Sequence, residues 1–329
     1  MTEARHYVKL IGEKVECRLC PHKCIVAPGN RGICRVRQNR AGKLYSQNYG
    51  RCSSLALDPI EKKPLYHFYP GSLILSAGTV GCNFGCQFCQ NWQIAHQEAH
   101  TVAISPQQLV QKAQASDSLG IAYTYSEPLV WFEFVADTAQ LAREAGLKNV
   151  MVSNGFIEPE PLAELLPWID AWNIDIKGFN QEFYRKVVRG SYQPVLRTAA
   201  VARQAGAHVE ITTLLVTGLN DDLEEIAELA QWVAGELGVD TPLHLSRYYP
   251  QYRLKAPPTP LATMYQARQL AQQHLHYVYL GNVADPEVNN TSCPACGATV
   301  IRRLSYQVNL SGLDGESCRA CGSKLAIIR

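Results

Sequence analysis

The sequence contains no apolar run long enough to cross a bilayer, which requires about 20 consecutive apolar residues in a helix. Its first residues, MTEARHYVKL, lack the apolar core of a signal peptide and the Arg- and Ser-rich character of a transit peptide. Exact internal repeats and low-complexity tracts are also absent. These absences argue against membrane, secreted and repeat proteins, and we expect a cytoplasmic location with no membrane contact.

The chain has little net charge, +2, but that charge is unevenly distributed. Residues 1–51 carry 11 Lys or Arg against 3 Asp or Glu, and residues 293–329 carry 5 against 2. Residues 52–292 are acidic, with 15 basic and 24 acidic side chains. Basic flanks can bind nucleic acid, but they also compensate the negative charge of thiolate metal sites. We expect charge compensation, and nucleic acid is not an expected partner.

Cysteine is abundant, with twelve residues in the chain. Because cytosolic thiols stay reduced, this number predicts metal sites instead of disulfides. The cysteines form three groups, with Cys52 alone and predicted to be a buried thiol. The groups are Cys17, Cys20, Cys24 and Cys34; Cys82, Cys86 and Cys89; and Cys293, Cys296, Cys318 and Cys321.

Strand and helix patterns alternate from residue 72 onward. The predicted strands cover residues 72–78, 121–125, 148–154, 171–176, 208–216 and 241–246, the last of these ending the run. Six βα units predict an α/β fold with a parallel sheet and right-handed crossovers, and six instead of eight predict an open, partial (β/α)6 TIM-like barrel. We expect a Cys-rich metal-binding module over residues 1–55, the barrel over residues 56–285, and a zinc-ribbon-like module over residues 286–329.

The segment GCNFGCQFCQNW follows the first predicted barrel strand and has the spacing C-x3-C-x2-C. Three thiolates leave one iron of a [4Fe–4S] cluster without a protein ligand. That iron can be chelated by the amino and carboxylate groups of S-adenosylmethionine (SAM), and one electron then cleaves SAM to methionine and a 5′-deoxyadenosyl radical. The alternatives are a three-cysteine zinc site and part of a ferredoxin-type cluster.

This loop, the predicted open barrel and the aromatic Phe88 resemble the radical SAM superfamily, and within it the glycyl-radical activating enzymes of the pyruvate formate-lyase type. In TYSEP, only Glu127 and Pro128 match the family's Gly-Gly-Glu-Pro motif. SNG (153–155) and DIK (175–177) resemble segments that contact the ribose and the methionine portion of SAM. The resemblance thus implies a set of SAM-binding residues. These are Phe88, Ser126, Glu127, Ser153, Asn154, Asp175, Lys177 and, by looser analogy, His244.

Over nearly the whole chain, further segments resemble the AmmeMemoRadiSam radical SAM proteins. They are CRLCPHKC, DPIEKKPLYHFYPGS, YTYSEP, NIDIKGF, YYPQYRL and GNV followed by CPACG. The resemblance implies association with an AMMECR-type and a Memo-type protein, either as partners or in one pathway. It does not identify the substrate.

The two flanking cysteine groups predict separate metal sites. CPACG and CRACG give C-x2-C-x21-C-x2-C, which predicts a structural Cys₄ zinc ribbon, with rubredoxin-like iron as the alternative. The N-terminal spacing, C-x2-C-x3-C-x9-C, fits zinc and an auxiliary iron–sulfur cluster equally. His22 is an alternative ligand there, although the turn after Pro21 is its expected place.

The leading hypothesis is a radical SAM enzyme that takes an electron from a flavodoxin- or ferredoxin-type reductant and abstracts hydrogen from an unidentified substrate. One alternative is a glycyl-radical activase, and another is a non-enzymatic zinc or iron–sulfur module that binds nucleic acid or a regulatory partner. The segment DPIEKKPLYHFYPG either lines the substrate side of the barrel or forms a solvated connector.

Overall fold

The computed structural model describes residues 2–329, and its centre is an eight-stranded sheet. The strands are β1 (Ser54–Pro59), β2 (Leu73–Gly78), β3 (Gly120–Tyr123), β4 (Lys148–Ser153), β5 (Ala171–Asp175), β6 (His208–Leu215), β7 (Leu243–Arg247) and β8 (Val278–Gly281). Strand β1 is antiparallel to β2, and β2 to β8 run parallel in chain order. The predicted α/β class and open parallel sheet are confirmed.

Six helices connect the consecutive parallel strands, which confirms six β/α units. They are α1 (Pro106–Gln114), α2 (Phe132–Glu144), α3 (Pro159–Leu165), α4 (Gln193–Gln204), α5 (Leu223–Glu236) and α6 (Leu261–Ala271). Local signals set their ends. Ser105 and Gln108 form a capping box at the start of α1, and Asp222 accepts the first amide hydrogens of α5. Shorter helical segments lie at Ile11–Glu13, Ile60–Lys62, Trp92–His96, Pro128–Trp131, Leu166–Trp168, Gln181–Phe183, Tyr184–Val188 and Pro286–Asn289.

The prediction that residues 241–246 form the last strand is wrong, because β8 continues the parallel sheet beyond β7. Strand β1 was also not predicted, and the expected module boundary between residues 55 and 56 falls inside it. Both are sheet-edge strands. Strand β8 has only four residues, which is too short for a period-two pattern to be distinguished from a buried loop.

The interior of the barrel is filled by the segment that connects β1 to β2. Ile60, Leu65 and Phe68 of this segment form an apolar cluster with residues of β2 to β5. Leu65 and His67 are fully buried, so the solvated-connector interpretation is wrong. The sequence pattern did not decide this, because the segment mixes charged and aromatic residues without a helix or strand period.

A buried carboxylate fastens this interior segment to the sheet. Glu210, on β6, accepts hydrogen bonds from the backbone amides of Tyr66 (3.0 Å) and His67 (2.7 Å). It also contacts His208 Nε2 at 2.9 Å and His244 Nε2 at 2.6 Å. Burial raises the pKa of Glu210, but hydrogen bonds from the two histidines lower it by more. The net shift is therefore downward, and the carboxylate is ionised. One side chain thus joins the segment to β6 and β7.

His67 predicts a pH dependence of stability. Burial lowers its pKa to about 4 from 6.5, and its ring contacts Tyr279 Oη and the Ala326 carbonyl. An unfolded chain takes up this proton at a higher pH than the folded chain does. Stability is therefore retained above pH 6.5 and lost as the pH falls toward 4.

Between pH 7 and pH 5, the loss from His67 should be about 2 kcal/mol. Urea unfolding at both pH values would measure it, with His67→Gln as the matched variant. Other acid-sensitive groups act equally in both proteins. An equal pH effect in the wild type and the variant would contradict the assignment.

Small sheets are formed by the residues that precede the barrel in the sequence and by those that follow it. In the N-terminal part, the strands are Thr2–Glu3, Tyr7–Lys9, Val15–Cys17, Ile25–Val26, Arg37–Arg40, Lys43–Ser46 and Arg51–Cys52, the last pairing with Val102–Ala103. In the C-terminal part, they are Thr291–Ser292, Thr299–Leu304, Gln307–Asn309, Leu313–Asp314 and Ser317–Cys318. Across residues 2–329, none of the helices has the length and apolar character needed to traverse a bilayer.

Candidate active site

The loop with Cys82, Cys86 and Cys89 begins directly after β2, at the carboxyl edge of the sheet. The turn of π-helix at Tyr184–Val188 holds it through the amides of Gly85 and Gln87, which donate to carbonyl oxygens of that turn. Gly81 has a φ of +92°, and a Cβ there would lie 2.7 Å from the Cys34 carbonyl oxygen. Glycine is therefore required for this close approach.

The three thiols fit a cluster of several iron atoms. Burial raises the pKa of Cys86 to about 12 and that of Cys82 well above its ordinary value. A buried thiol of this kind becomes a stable thiolate when a metal replaces its proton. Among residues 2–329, these three sulfurs do not form a group within 4.8 Å of one another, as ligands of a single ion would. This wider separation suits a cluster in which each thiolate binds a different iron.

Glu127 connects the carboxyl ends of β3 and β4. Its Oε1 accepts hydrogen bonds from the Leu129 amide (3.0 Å) and Ser153 Oγ (2.7 Å), and its Oε2 accepts one from the Asn154 amide (2.9 Å). Burial raises the pKa of this carboxyl to about 7, against the opposing effect of these hydrogen bonds. Three of the residues predicted to bind SAM are thus in direct contact.

Asn154 joins this group to the cysteine loop. Its Nδ2 donates to Asn83 Oδ1 at 2.8 Å and lies 3.8 Å from Cys82 Sγ. Asn83 in turn donates to the Phe156 carbonyl at 2.8 Å. Asn83 was not among the predicted site residues. Its place as a polar residue directly after Cys82 was the available signal.

Asp175 and Lys177 form an ion pair at the end of β5. Burial lowers the pKa of Lys177, but Asp175 and then the Cys86 thiolate raise it by more, so the net shift is upward. Burial raises the pKa of Cys86 and of Cys89, and the nearby charge of Lys177 opposes that rise. Asp175 Oδ1 is buried and has no hydrogen-bond partner. It is a free acceptor beside the cysteines.

The remaining predicted contacts have other neighbours. Ser126 Oγ donates to the Thr79 carbonyl at 2.8 Å, and the Phe88 ring stacks on Phe183 at 6.0 Å between ring centroids. His244 belongs to the interior network of Glu210 and does not join the group around Glu127. The looser analogy placed His244 at the end of its strand, whereas it is the second residue of β7 and contacts Glu210.

Tyr125 occupies a position where the resembling motif has glycine. Its backbone has a φ of +71°, in the left-handed region that favours glycine. Tyr125 Oη donates to Asp58 Oδ2 at 2.6 Å, and Lys63 Nζ donates to the same oxygen at 2.7 Å. Lys63 also lies 4.7 Å from the centre of the tyrosine ring. Asp58 lies on β1 and Lys63 lies in the segment that connects β1 to β2, so these contacts link both to the carboxyl edge of the sheet.

The two flanking cysteine groups differ in geometry. The C-terminal sulfurs of Cys293, Cys296, Cys318 and Cys321 all lie within 4.8 Å of one another, with two pairs at 3.7 Å. The N-terminal cysteines Cys17, Cys20, Cys24 and Cys34 instead line a common cavity. The proposed alternative ligand His22 contacts the Asn83 carbonyl at 2.7 Å.

Comparison with known proteins agrees with this arrangement. A family model described as the radical SAM superfamily matches residues 77–233, which include the cysteine loop and strands β3 to β6. The chain is 46% identical over 335 residues to the uncharacterized protein MJ0808 of Methanocaldococcus jannaschii, and the match covers all of both chains.

More distant relatives have named activities. The chain is 26% identical over 165 residues to a pyruvate formate-lyase-activating enzyme of Streptococcus mutans, covering 46% of this chain and 63% of that one. A radical SAM methyltransferase structure from Sphaerobacter thermophilus superposes with a TM-score of 0.52 at 14% identity, covering 85% of this chain and 76% of that chain. At this identity, the structural match concerns the fold alone.

Proposed function

We propose that in this chain, a member of the radical SAM superfamily, Cys82, Cys86 and Cys89 hold a [4Fe–4S] cluster that binds SAM. When bound and reduced by one electron, cluster and SAM supply a 5′-deoxyadenosyl radical that takes hydrogen from a substrate. The observation that carries this proposal is the meeting of Cys82, Cys86 and Cys89 with Lys177 and Asn154 at one edge of the sheet.

The chain's own residues have distinct tasks in this proposal. Lys177 offsets the negative charge of the thiolates, and Asn154 donates toward Cys82. Glu127 holds the ends of β3 and β4 at a constant separation. Asp175, whose Oδ1 is buried without a hydrogen-bond partner, would help to hold the methionine portion of SAM by accepting a hydrogen bond. Phe88 and Ser126 stay proposed SAM contacts on the resemblance.

The proposed partners follow from the same resemblance. A flavodoxin- or ferredoxin-type protein supplies the electron, and AMMECR-type and Memo-type proteins act with the enzyme or in its pathway.

The C-terminal quartet binds zinc, because four sulfurs around one tetrahedral ion at about 2.3 Å lie slightly under 4 Å apart. Two of the sulfur pairs are 3.7 Å apart.

A glycyl-radical activase is the second candidate, and the match to the activating enzyme of Streptococcus mutans favours it. In that case the substrate is a glycine of a large partner protein. A stable glycyl radical on that partner, detected by electron paramagnetic resonance, would separate the activase from an enzyme that acts on a small molecule.

The proposed reaction has a direct test. Protein isolated under anaerobic conditions, with dithionite and SAM, should release 5′-deoxyadenosine and methionine in equal amounts, measured by chromatography with mass detection. Equal amounts are expected because one bond is broken per SAM. Protein that holds iron and binds SAM, yet forms neither product with dithionite or with a flavodoxin reductant, would contradict the proposal.

A further inference from the structure

The N-terminal quartet of Cys17, Cys20, Cys24 and Cys34 surrounds an enclosed space. All four cysteines line one cavity. Four sulfurs at about 2.3 Å from a single zinc ion would lie slightly under 4 Å apart. The separation of the sulfurs therefore distinguishes a single ion from a cluster.

The three cysteine groups of the chain differ in the separation of their sulfur atoms. In the C-terminal quartet, the sulfurs of Cys293 and Cys321 lie 3.7 Å apart, and those of Cys296 and Cys318 are at the same distance. One tetrahedral ion requires this separation. Within residues 2–329, no three N-terminal sulfurs lie within 4.8 Å of one another, and the same holds for Cys82, Cys86 and Cys89. The N-terminal quartet thus shares the wider separation of the radical SAM loop.

The charge around the cavity favours an anionic occupant. Arg37 also lines the cavity, is 1% exposed and pairs with Glu133 through Nη1 at 2.6 Å. Its Nε is buried and has no hydrogen-bond partner. Four thiolates carry net negative charge around either kind of metal centre, and the sulfides of an iron–sulfur core would in addition offer acceptors for this donor.

We infer that Cys17, Cys20, Cys24 and Cys34 hold a second [4Fe–4S] cluster, and not zinc. Each sulfur binds a different iron, which explains why the four sulfurs stand apart around a common space. With four protein thiolates, no iron is left open, so this cluster does not bind SAM. Its place is beside the radical SAM loop, because His22 contacts the Asn83 carbonyl and Gly81 packs against Cys34.

Metal counting tests this inference without reference to activity. The full chain is isolated anaerobically from iron-supplied cells, without chemical reconstitution, and iron, sulfide and zinc are measured together with the Mössbauer spectrum. We expect about eight iron atoms and one zinc ion per chain. About four iron atoms with two zinc ions would overturn the inference, because the N-terminal quartet would then hold zinc.

Two variants assign the metals to their sites. The triple variant C82A/C86A/C89A should keep about four iron atoms and the spectrum of a [4Fe–4S] cluster, whatever the outcome for SAM cleavage. The matched variant C296S/C321S should lose zinc and keep its iron. If the triple variant misfolds, C17S/C20S serves instead, with an expected loss of about half the iron. Loss of zinc from C17S/C20S, or of all iron from a folded triple variant, would overturn the inference.

Discussion

Replacing Cys86 with alanine is expected to reduce the formation of 5′-deoxyadenosine to background. Cys86 is buried in the middle of the loop. Partners that only orient a metal ligand typically contribute about 10–100-fold to metal affinity or activity, so the loss of a ligand itself should exceed about 100-fold. The measurement is product formation per chain with dithionite and excess SAM.

Cys52 provides the matched control for Cys86. It is also a buried thiol, 3% exposed, but it lies outside the three cysteine groups and its Sγ donates to the Ser54 carbonyl. The variant Cys52→Ala removes the same atoms and should retain product formation. Iron content distinguishes the two cases further, because only Cys86→Ala should lower it. Undiminished SAM cleavage by a folded Cys86→Ala protein would contradict the assignment of the ligand.

Replacing Glu210 with alanine is expected to cost about 3–5 kcal/mol of unfolding free energy, because several buried donors lose their acceptor at about 1–3 kcal/mol each. The donors are the amides of Tyr66 and His67 and the ring nitrogens of His208 and His244. The substitution also creates a cavity between the interior segment and the sheet. Urea unfolding followed by tryptophan fluorescence would measure the loss.

The variant Glu210→Gln separates hydrogen bonding from charge. Glutamine keeps the length of the side chain and one carbonyl acceptor, so it should cost less than alanine. Its amide cannot accept from both histidines and both backbone amides at once, so it should still be less stable than the wild type. Equal stability of Glu210→Ala and the wild type would contradict the role of this carboxylate as the link between β6 and the connector segment.

The periodic part of the fold was predictable because its signals are local. Strands β2 to β7 lie in apolar-rich segments that alternate with helical patterns, and helices such as α1 and α5 have their own caps. The edge strands β1 and β8 were missed for the opposite reason. Strand β8 has four residues, and both become strands by pairing with a neighbour that is already in place.

The candidate site was predictable in part. The spacing of Cys82, Cys86 and Cys89 is a property of one loop, and the family resemblance connected that loop with SAM binding. Asn83 was missed, although it follows Cys82, because its role depends on Asn154 from another strand. His244 was assigned by a looser analogy, but its contacts depend on its register along β7 and on a carboxylate from β6.

By itself, the sequence determined the α/β class, the six β/α units and the grouping of the cysteines. Apolar periodicity and ligand spacing are properties of short segments, so they do not depend on the rest of the fold. The tertiary structure alone decided that residues 58–72 fill the barrel, that Tyr125 is held by Asp58 and Lys63, and how far apart the sulfurs of each group stand. Those properties depend on contacts between residues distant in the chain. Local sequence patterns do not specify them, because burial and side-chain pairing are settled only when all elements pack together.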